Sequence, residues 1–316
     1  MDRIILGNTG IEVTKLCFGA LPLGPLQKNI SVEEGGEIIA NALRRGINFI
    51  DTAQIYRTYP HIKAALDKVD FRPVIATKSM AESYEDMERA IHEALEGLSL
   101  DYIDIFHLHA AKADTDIFEK RKGAFQCLLD YKKEGIIKAV GISTHSVDVV
   151  ELAARREDVD VIFPLINKAG RGIVKGTLED MERAIELCHE NNKGVYLMKV
   201  LGGGTVIEDY QSCMDYAMNL SGDNAIAIGM VSNEEVDYNI RYFDGERDLE
   251  GIVNIRSKKV VKVSEISCVG CGTCTDICHS EAISINEKQK ALIDTSKCIQ
   301  CGYCISACPQ FSIRIV

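Results

Sequence analysis

The chain has 316 residues, of which 46% are hydrophobic and 26% are charged, and its formal net charge is −11. This length accommodates one large domain and a small second one. The acidic balance without basic runs argues against nucleic acid as a partner, and the lack of long apolar runs argues against a protein that spans a membrane.

An N-terminal hairpin is the first element that the sequence predicts, with Ile4–Leu6 and Ile11–Val13 on either side of a turn at Gly10. Eight further apolar segments then alternate with amphipathic stretches. We predict strands at Leu16–Gly19, Asn48–Ile50, Val74–Thr77, Tyr102–Phe106, Ala139–Ile142, Val161–Leu165, Gly194–Met198 and Ala225–Ile228. A helix is predicted after each strand, and the apolar spacing is clearest in Glu33–Arg45, Glu85–Gly97 and Leu178–Asn191.

This order of elements predicts an α/β fold. Eight strand–helix units in about 250 residues match the size of a (β/α)8 TIM barrel, whose N-terminal end the hairpin would plug. A doubly wound open sheet is the alternative, but it requires a G-x-G-x-x-G fingerprint that the residues after Leu16–Gly19 do not supply. We therefore predict a barrel over residues 1–255 and a small α+β domain over residues 256–316.

Four polar residues fall at or just after the carboxyl ends of neighbouring predicted strands. They are Asp51 and Tyr56 after the second strand, Lys78 after the third and His109 after the fourth. A closed barrel brings such strand ends together at one mouth, where barrel enzymes have their active sites.

These residues lie in motifs that resemble those of the aldo-keto reductase family. The stretch Asn48–Tyr56, the pair Thr77-Lys78 and the strand Asp101–His109 carry the resemblance in the right order. It implies that Asp51, Tyr56, Lys78 and His109 form the family's catalytic tetrad. Tyr59 and His107 are the nearest competitors, and the motif positions favour Tyr56 and His109 over them.

The chemistry that the resemblance implies suits these residue types. Carbonyl reduction needs a hydride at carbon and a proton at oxygen, and alcohol oxidation is the reverse. A tyrosine hydroxyl titrates near pH ~10, so we expect Lys78 to lower the pKa of Tyr56. Asp51 would hold Lys78 in place, Tyr56 would act as general acid or base, and His109 would orient the oxygen of a small carbonyl or alcohol substrate.

The family's nicotinamide cofactor implies further site residues at the barrel mouth. Glu235 stands where members that grip a 2′-phosphate have Arg, and a carboxylate there repels a phosphate, so both NADH and NADPH stay open. The residues that match cofactor-binding positions are Ser143, Thr144, Asn167, Val231, Ser232, Glu235 and Asn239. Gly202, Gly203 and Gly204 follow the seventh predicted strand, where their backbone amides could approach a pyrophosphate, and a flexible turn is the equal alternative.

The last 57 residues contain eight of the twelve cysteines, in two copies of C-x2-C-x2-C-x3-C. Disulfides and two structural zinc sites are the alternatives, but the start of the chain lacks the apolar core of a signal peptide, and zinc motifs usually come as separated pairs. The spacing is that of two-cluster bacterial ferredoxins. Under that resemblance, one [4Fe–4S] cluster is held by Cys268, Cys271, Cys274 and Cys308, and the other by Cys298, Cys301, Cys304 and Cys278.

The whole sequence thus resembles aldo-keto reductases that carry a C-terminal ferredoxin-like domain. Oxygen-sensitive clusters without an export signal predict a cytoplasmic protein. Because a nicotinamide transfers two electrons and a cluster one, three hypotheses stay open: an NAD(P)(H)-dependent barrel whose tail serves a redox partner protein, a barrel that holds a flavin, or a non-catalytic barrel on an electron carrier. In family members without such a tail, a C-terminal loop closes the substrate pocket. Here the tail would form that part of the pocket wall.

Overall fold

The computed structural model describes residues 1–204, 209–247, 249, 260–278, 280–298 and 302–315. The chain begins with an antiparallel hairpin of β1 (Arg3–Ile5) and β2 (Glu12–Thr14). Ile4 and Val13 pack into the barrel interior with residues such as Phe49 and Tyr196, so the hairpin plugs the N-terminal end of the barrel as expected.

Eight parallel strands form a closed barrel in the order β10-β3-β4-β5-β6-β7-β8-β9. The doubly wound alternative is therefore wrong. The strands are β3 (Leu16–Gly19), β4 (Phe49–Asp51), β5 (Val74–Ser79), β6 (Ile103–His109), β7 (Ile137–Thr144), β8 (Val161–Pro164), β9 (Gly194–Met198) and β10 (Ala225–Gly229).

The strands are nearly continuous apolar segments because helices cover their outer faces while side chains fill the barrel. The helices are α1 (Val32–Arg44), α2 (Tyr59–Leu66), α3 (Tyr84–Leu98), α4 (Ile117–Lys120), α5 (Lys122–Lys133), α6 (Val147–Ala154), α7 (Leu178–Glu190), α8 (Tyr210–Met218) and α9 (Asn233–Phe243). The four cysteines outside the tail motifs, Cys17, Cys127, Cys188 and Cys213, are buried in this barrel.

Several predicted bounds differ from the structure. β5 ends two residues later than predicted, and β7 is two residues longer at each end, so both strands extend to polar residues at the mouth. β4 starts and ends one residue later. Lys78 is consequently inside β5 rather than at its end. Helices α1, α3 and α7 begin directly after Ser31, Ser83 and Thr177, whose side chains accept hydrogen bonds from first-turn amides.

The tail consists of two similar halves, whose elements recur 30 residues apart. Strands β11 and β14 form one antiparallel pair, and β12 and β13 form another. Each pair therefore combines one strand from each half. Because the halves are interleaved in this way, the end of one cysteine motif lies near the start of the other. The elements are β11 (Val261–Val263), α10 (Thr273–Asp276), β12 (Ile283–Ile285), β13 (Ala291–Ile293), α11 (Tyr303–Ala307) and β14 (Ile313–Ile315).

The tail packs on the carboxyl end of the barrel. A Cβ atom on Gly204 would lie 2.7 Å from the carbonyl oxygen of Ile315, so only glycine allows this approach. Lys112 of the barrel donates a hydrogen bond to Gln310 of the tail. The predicted domain boundary at residue 255 lies outside the described residues. None of the helices that the structure describes is long and apolar enough to cross a membrane.

Candidate active site and cluster sites

A buried ion pair joins the second and third strands of the barrel. Lys78 Nζ on β5 donates to both carboxylate oxygens of Asp51, each at 2.7 Å, and to the carbonyl oxygen of Thr52, also at 2.7 Å. Lys78 is 1% exposed. All three ammonium protons thus have acceptors, which fixes the position of the positive charge at the barrel mouth.

Tyr56 and His109 lie beside this ion pair. The ammonium of Lys78 is 5.0 Å from the centre of the Tyr56 ring, and the rings of Tyr56 and His109 are perpendicular with centres 6.1 Å apart. Tyr56 reaches the mouth through a short 3-10 turn, Gln54–Tyr56, directly after β4. The structure therefore brings the four predicted tetrad residues together around one point.

The electrostatics of Tyr56 differ from the expectation. Burial raises the pKa of Tyr56 above its ordinary value, and this outweighs the lowering by the positive charges of Lys78 and Arg314. Tyr56 is consequently protonated at neutral pH and suited to donate a proton. Burial and the charge of Lys78 hold the pKa of His109 well below its ordinary value, so its ring is neutral.

A second line of hydrogen bonds supports the ion pair from inside the barrel. Tyr196 on β9 donates to Asp51 Oδ2 at 3.0 Å, and His107 Nε2 lies 2.7 Å from the Tyr196 hydroxyl. Because the hydroxyl proton goes to Asp51, His107 donates through Nε2. Burial keeps the pKa of His107 well below its ordinary value. His107 is thus a neutral residue that supports Asp51 through Tyr196.

The structure also separates Tyr56 from Tyr59. Tyr59 is 4% exposed at the start of α2, and its hydroxyl lies 2.9 Å from Thr77 Oγ1. Tyr56 instead lines both cavities at the barrel mouth. Tyr56 alone is therefore placed to meet a ligand.

Two cavities meet at Tyr56. One, of about 180 Å³, runs from Asp51 and Phe163 past Gly19 towards Glu235. We call it the strand-end cavity. The other, of about 550 Å³, lies between the barrel and the tail and contains His109 on its wall. We call it the interdomain cavity.

The predicted cofactor residues fall into two groups. Gly203, Gly204, Val231 and Glu235 line the strand-end cavity. The remaining six do not line it. Four of them use their side chains in contacts within the barrel: Asn167 bonds both backbone groups of Arg171, Thr144 accepts a hydrogen bond from Ser146 N, Ser232 caps α9, and Asn239 bonds Glu235 O and the Tyr210 hydroxyl. Ser143 is 1% exposed, and Gly202 N donates to Lys199 O.

Four cysteines from both motifs surround one small cavity in the tail. They are Cys268, Cys271, Cys274 and Cys308, the set that the sequence predicts for the first cluster. Backbone N–H groups of Ala291 and Ser312 point at Cys268 Sγ and Cys308 Sγ, each at 3.3 Å. Amides that donate to sulfur stabilise thiolates and the clusters that they bind, so the residues present fit an iron–sulfur cluster.

The second predicted set is described in part. Cys278, Cys298 and Cys304 lie in the described residues, and Cys301 lies outside them. Cys278 accepts a hydrogen bond from Ala282 N at 3.3 Å, which repeats the contact of Cys308 with Ser312 N thirty residues later. The eleven described cysteines are all free of disulfides, and among the described residues no His, Cys, Asp or Glu side chains group closely enough for a single metal ion.

Sequence reasoning missed three residues of this region. Tyr196 lies on β9 beneath the ion pair, Lys199 directly follows β9, and Arg314 on β14 reaches the cavities from the tail. The alternation Ile313-Arg314-Ile315 places Arg314 on one face of its strand, but the sequence does not show that this face meets the barrel.

Comparisons with known proteins agree with this arrangement. Residues 15–218 match the model of the aldo/keto reductase family, and residues 267–312 match that of a 4Fe-4S dicluster domain. The L-galactose dehydrogenase of Arabidopsis thaliana is 30% identical over 204 residues, which are 60% of this chain and 61% of that protein. The D-threo-aldose 1-dehydrogenase of a Pseudomonas species is 26% identical over 243 residues, with coverage of 63% and 69%.

Solved structures give the same fold. The holo form of an aldo-keto reductase from Bacillus halodurans has a TM-score of 0.63 at 19% identity, and the match covers 79% of this chain and 92% of that one. The chain spans 61% of the length of the plant dehydrogenase that it matches. From the family match over most of the barrel, this chain belongs to the aldo/keto reductase family and carries a 4Fe-4S dicluster domain after the barrel.

Proposed function

We propose that the barrel reduces a small carbonyl compound, or oxidises the corresponding alcohol, with a nicotinamide dinucleotide. The observation that carries this proposal is the ion pair of Lys78 and Asp51 beside a protonated Tyr56 at a cavity. The dinucleotide, when bound, supplies or accepts a hydride at the substrate carbon.

The chain's own residues handle the proton. Tyr56 donates its hydroxyl proton to the substrate oxygen during reduction and takes it back during oxidation. Lys78 stabilises the phenolate that this transfer leaves, because its charge is fixed nearby by Asp51. The neutral His109 orients the substrate oxygen by a hydrogen bond. Tyr196 and His107 keep Asp51 in position.

The strand-end cavity is the place for the dinucleotide. Its wall combines apolar side chains such as Phe163 and Met198 near Tyr56 with glycines that let a flat ring approach the strand ends. At the far end, the carboxylate of Glu235 accepts a hydrogen bond from Val231 N at 2.8 Å. By the family resemblance, Glu235 stands at the position that contacts the 2′-phosphate of NADPH. Its buried carboxylate would repel this phosphate, which favours NADH over NADPH.

Replacing Glu235 by Gln is expected to raise the affinity for NADPH relative to NADH roughly tenfold, because a carboxylate about 5 Å from a phosphate repels it by about 1–3 kcal/mol. The amide oxygen of Gln still accepts from Val231 N, so the local fold is preserved. Fluorescence titration of both dinucleotides measures the ratio. Glu234→Gln, an exposed neighbour, is the matched control. An unchanged ratio in Glu235→Gln would show that the 2′-phosphate binds elsewhere.

We propose that the tail binds two [4Fe–4S] clusters and exchanges electrons with a redox partner protein. The supporting observation is the set of four cysteines, three from the first motif and one from the second, around one cavity. Val269 and Gln310 line both this cavity and the interdomain cavity. The first cluster would consequently lie directly behind the wall of the barrel mouth.

The proposal is tested by anaerobic purification followed by dinucleotide titration. The protein with both clusters is expected to bind NADH in the micromolar range that is usual for enzymes, and to reduce an aldehyde probe at its expense. Failure to bind either dinucleotide would contradict the proposal. A bound yellow cofactor would instead favour a flavin at the mouth, and a barrel without dinucleotide or flavin would favour the electron-carrier hypothesis.

A further inference from the structure

The interdomain cavity is rich in positive charge. Lys112, Lys199, Arg121, Lys262 and Arg314 line it, and among its described lining residues Glu82 is the single carboxylate. Three of the cations already donate hydrogen bonds to oxygen atoms of the protein, and Lys112 is one of them because it donates to Gln310. Arg121 donates to three backbone carbonyl oxygens, and Lys262 donates to that of Gln27. The two cations left to face a ligand are Lys199 and Arg314, which lie beside Tyr56.

Lys199 is the barrel's contribution to this charge. It directly follows β9, and its Nζ lies 3.0 Å from Nε2 of His145, which burial keeps neutral by lowering its pKa. Its φ of 59° is a left-handed conformation that is strained for a residue other than glycine. Burial first, and then the positive charges of Arg314, Lys112 and Lys78, hold the pKa of Lys199 well below its ordinary value, so an anion that pairs with Lys199 would favour its protonated form.

Arg314 is the tail's contribution. It lies on β14 and lines both cavities together with Lys199 and Tyr56. Its Nε is buried without a hydrogen-bond partner among the described residues. The charge of Arg314 acts on Tyr56 as well as on Lys199 and His145, so the guanidinium is close to the reacting centre. Lys199 and Arg314 are both partly buried, and cations withdrawn from water without carboxylate partners are costly unless an anion pairs with them.

We propose that Lys199 and Arg314 bind the carboxylate of an anionic substrate, an oxo acid in reduction or a hydroxy acid in oxidation. This inference rests on the proposed function and adds the substrate class. Arg314 is thus a specificity residue that the cluster domain contributes to the barrel's active site. A guanidinium and an ammonium together suit a carboxylate, which accepts several charge-assisted hydrogen bonds.

The position of the two cations favours the substrate over the dinucleotide as the source of the anion. Both line the junction at Tyr56, and their neighbours Lys112 and His145 line only the interdomain cavity, which also contains His109. The strand-end cavity instead leads away towards Val231 and Glu235. A carboxylate held at the junction would leave its carbonyl carbon beside Tyr56.

The test compares three oxo acids with their neutral methyl esters: pyruvate, 4-oxobutanoate and 4-carboxybenzaldehyde. The protein with both clusters is expected to prefer at least one acid over its ester by tenfold or more in kcat/KM. Arg314→Gln and Lys199→Gln should each lower this preference about 10- to 100-fold, mainly through KM of the acid, because each removes a charge-assisted hydrogen bond. Arg314→Lys should restore part of the preference.

Lys288→Gln is the matched control, because it removes one charge from an exposed position of the same domain. It should leave the preference unchanged. Equal turnover of acids and esters, or equal losses for both in Arg314→Gln, would overturn the inference. A loss of NADH affinity in Arg314→Gln with an unchanged acid preference would assign the cations to the dinucleotide and would overturn it as well.

Binding of succinate, an unreactive carboxylate, separates this inference from the proposed function. Calorimetry should show that succinate binds the wild-type protein and that Arg314→Gln weakens its binding by the same factor as the acid's KM. If succinate binds in this way while no acid or ester is turned over, the anion site stands and the proposed reaction fails. If turnover occurs but succinate does not bind, the reaction stands and the anion site fails.

Discussion

Replacing Tyr56 by Phe is expected to lower kcat for carbonyl reduction about a thousandfold, because positioned general acids contribute 10²–10⁴ in rate. The variant keeps the ring that contacts His109 and Lys78 and leaves the buried ion pair intact. NADH affinity and cluster content should therefore stay close to wild type. Steady-state kinetics, dinucleotide titration and iron analysis on the same preparation measure all three quantities.

Tyr59→Phe is the matched control for this prediction. It also removes a tyrosine hydroxyl oxygen, at a residue three positions later in the sequence. That hydroxyl contacts Thr77 and does not line either cavity at the barrel mouth. It should cost about 1 kcal/mol of stability and leave kcat within about threefold. Comparable losses of activity in both variants would contradict the role given to Tyr56. Tyr56 is also a better target than Lys78, because removing Lys78 would strand the buried carboxylate of Asp51 at a cost of about 3–5 kcal/mol.

Removing cysteines in pairs is expected to show which motif serves which cluster. Cys274→Ala with Cys308→Ala removes two ligands of the first predicted cluster, although these cysteines belong to different motifs. This pair should leave one intact cluster, with about four of about eight iron atoms. Iron and sulfide analysis and low-temperature EPR of the reduced protein count the intact clusters.

Cys304→Ala with Cys308→Ala is the matched comparison, because both residues belong to the second motif. Under the interleaved arrangement it removes one ligand from each cluster, so no intact [4Fe–4S] cluster should remain. If each motif held its own cluster, the two double variants would give the opposite results. The pairing of β11 with β14 and of β12 with β13 is the structural reason for the interleaved result.

The barrel was predictable from sequence because each of its strands is a short apolar segment followed by an amphipathic helix. β3 and β9 have the predicted bounds, and β5 and β7 were predicted too short where polar residues continue to the mouth. Periodicity does not show where a strand ends when its last residues are functional. Thr77, Lys78 and Ser79 in β5 illustrate this.

The meeting of Asp51, Tyr56, Lys78 and His109 at one mouth was predictable because they follow neighbouring strands, which a closed barrel brings together. The direction of the pKa shift of Tyr56 was not, because its largest cause is burial, which depends on how the folded chain packs around the ring. The role of Asn167 in cofactor binding stays a prediction, and in this structure its side chain bonds both backbone groups of Arg171.

The contribution of the tail to the barrel mouth was the least predictable feature. The sequence predicts that the tail forms part of the pocket wall, and Arg314, Phe311 and Gln310 line the interdomain cavity. Which tail residues line the cavity depends on how the two domains pack together, and local sequence patterns do not encode that packing. Phe311 has a φ of 50° and lies against Gly172, where a Cβ atom would meet its ring at 3.1 Å.

We expect the barrel to move a hydride directly between nicotinamide and substrate carbon, independently of the clusters. Anaerobic turnover of 4-oxobutanoate or its methyl ester with NADH deuterated at both C4 positions, followed by mass spectrometry of the alcohol, tests this transfer. One deuterium should appear at the carbinol carbon. An alcohol without deuterium from NADH, but with deuterium at that carbon when the reaction is run in D2O, would contradict it.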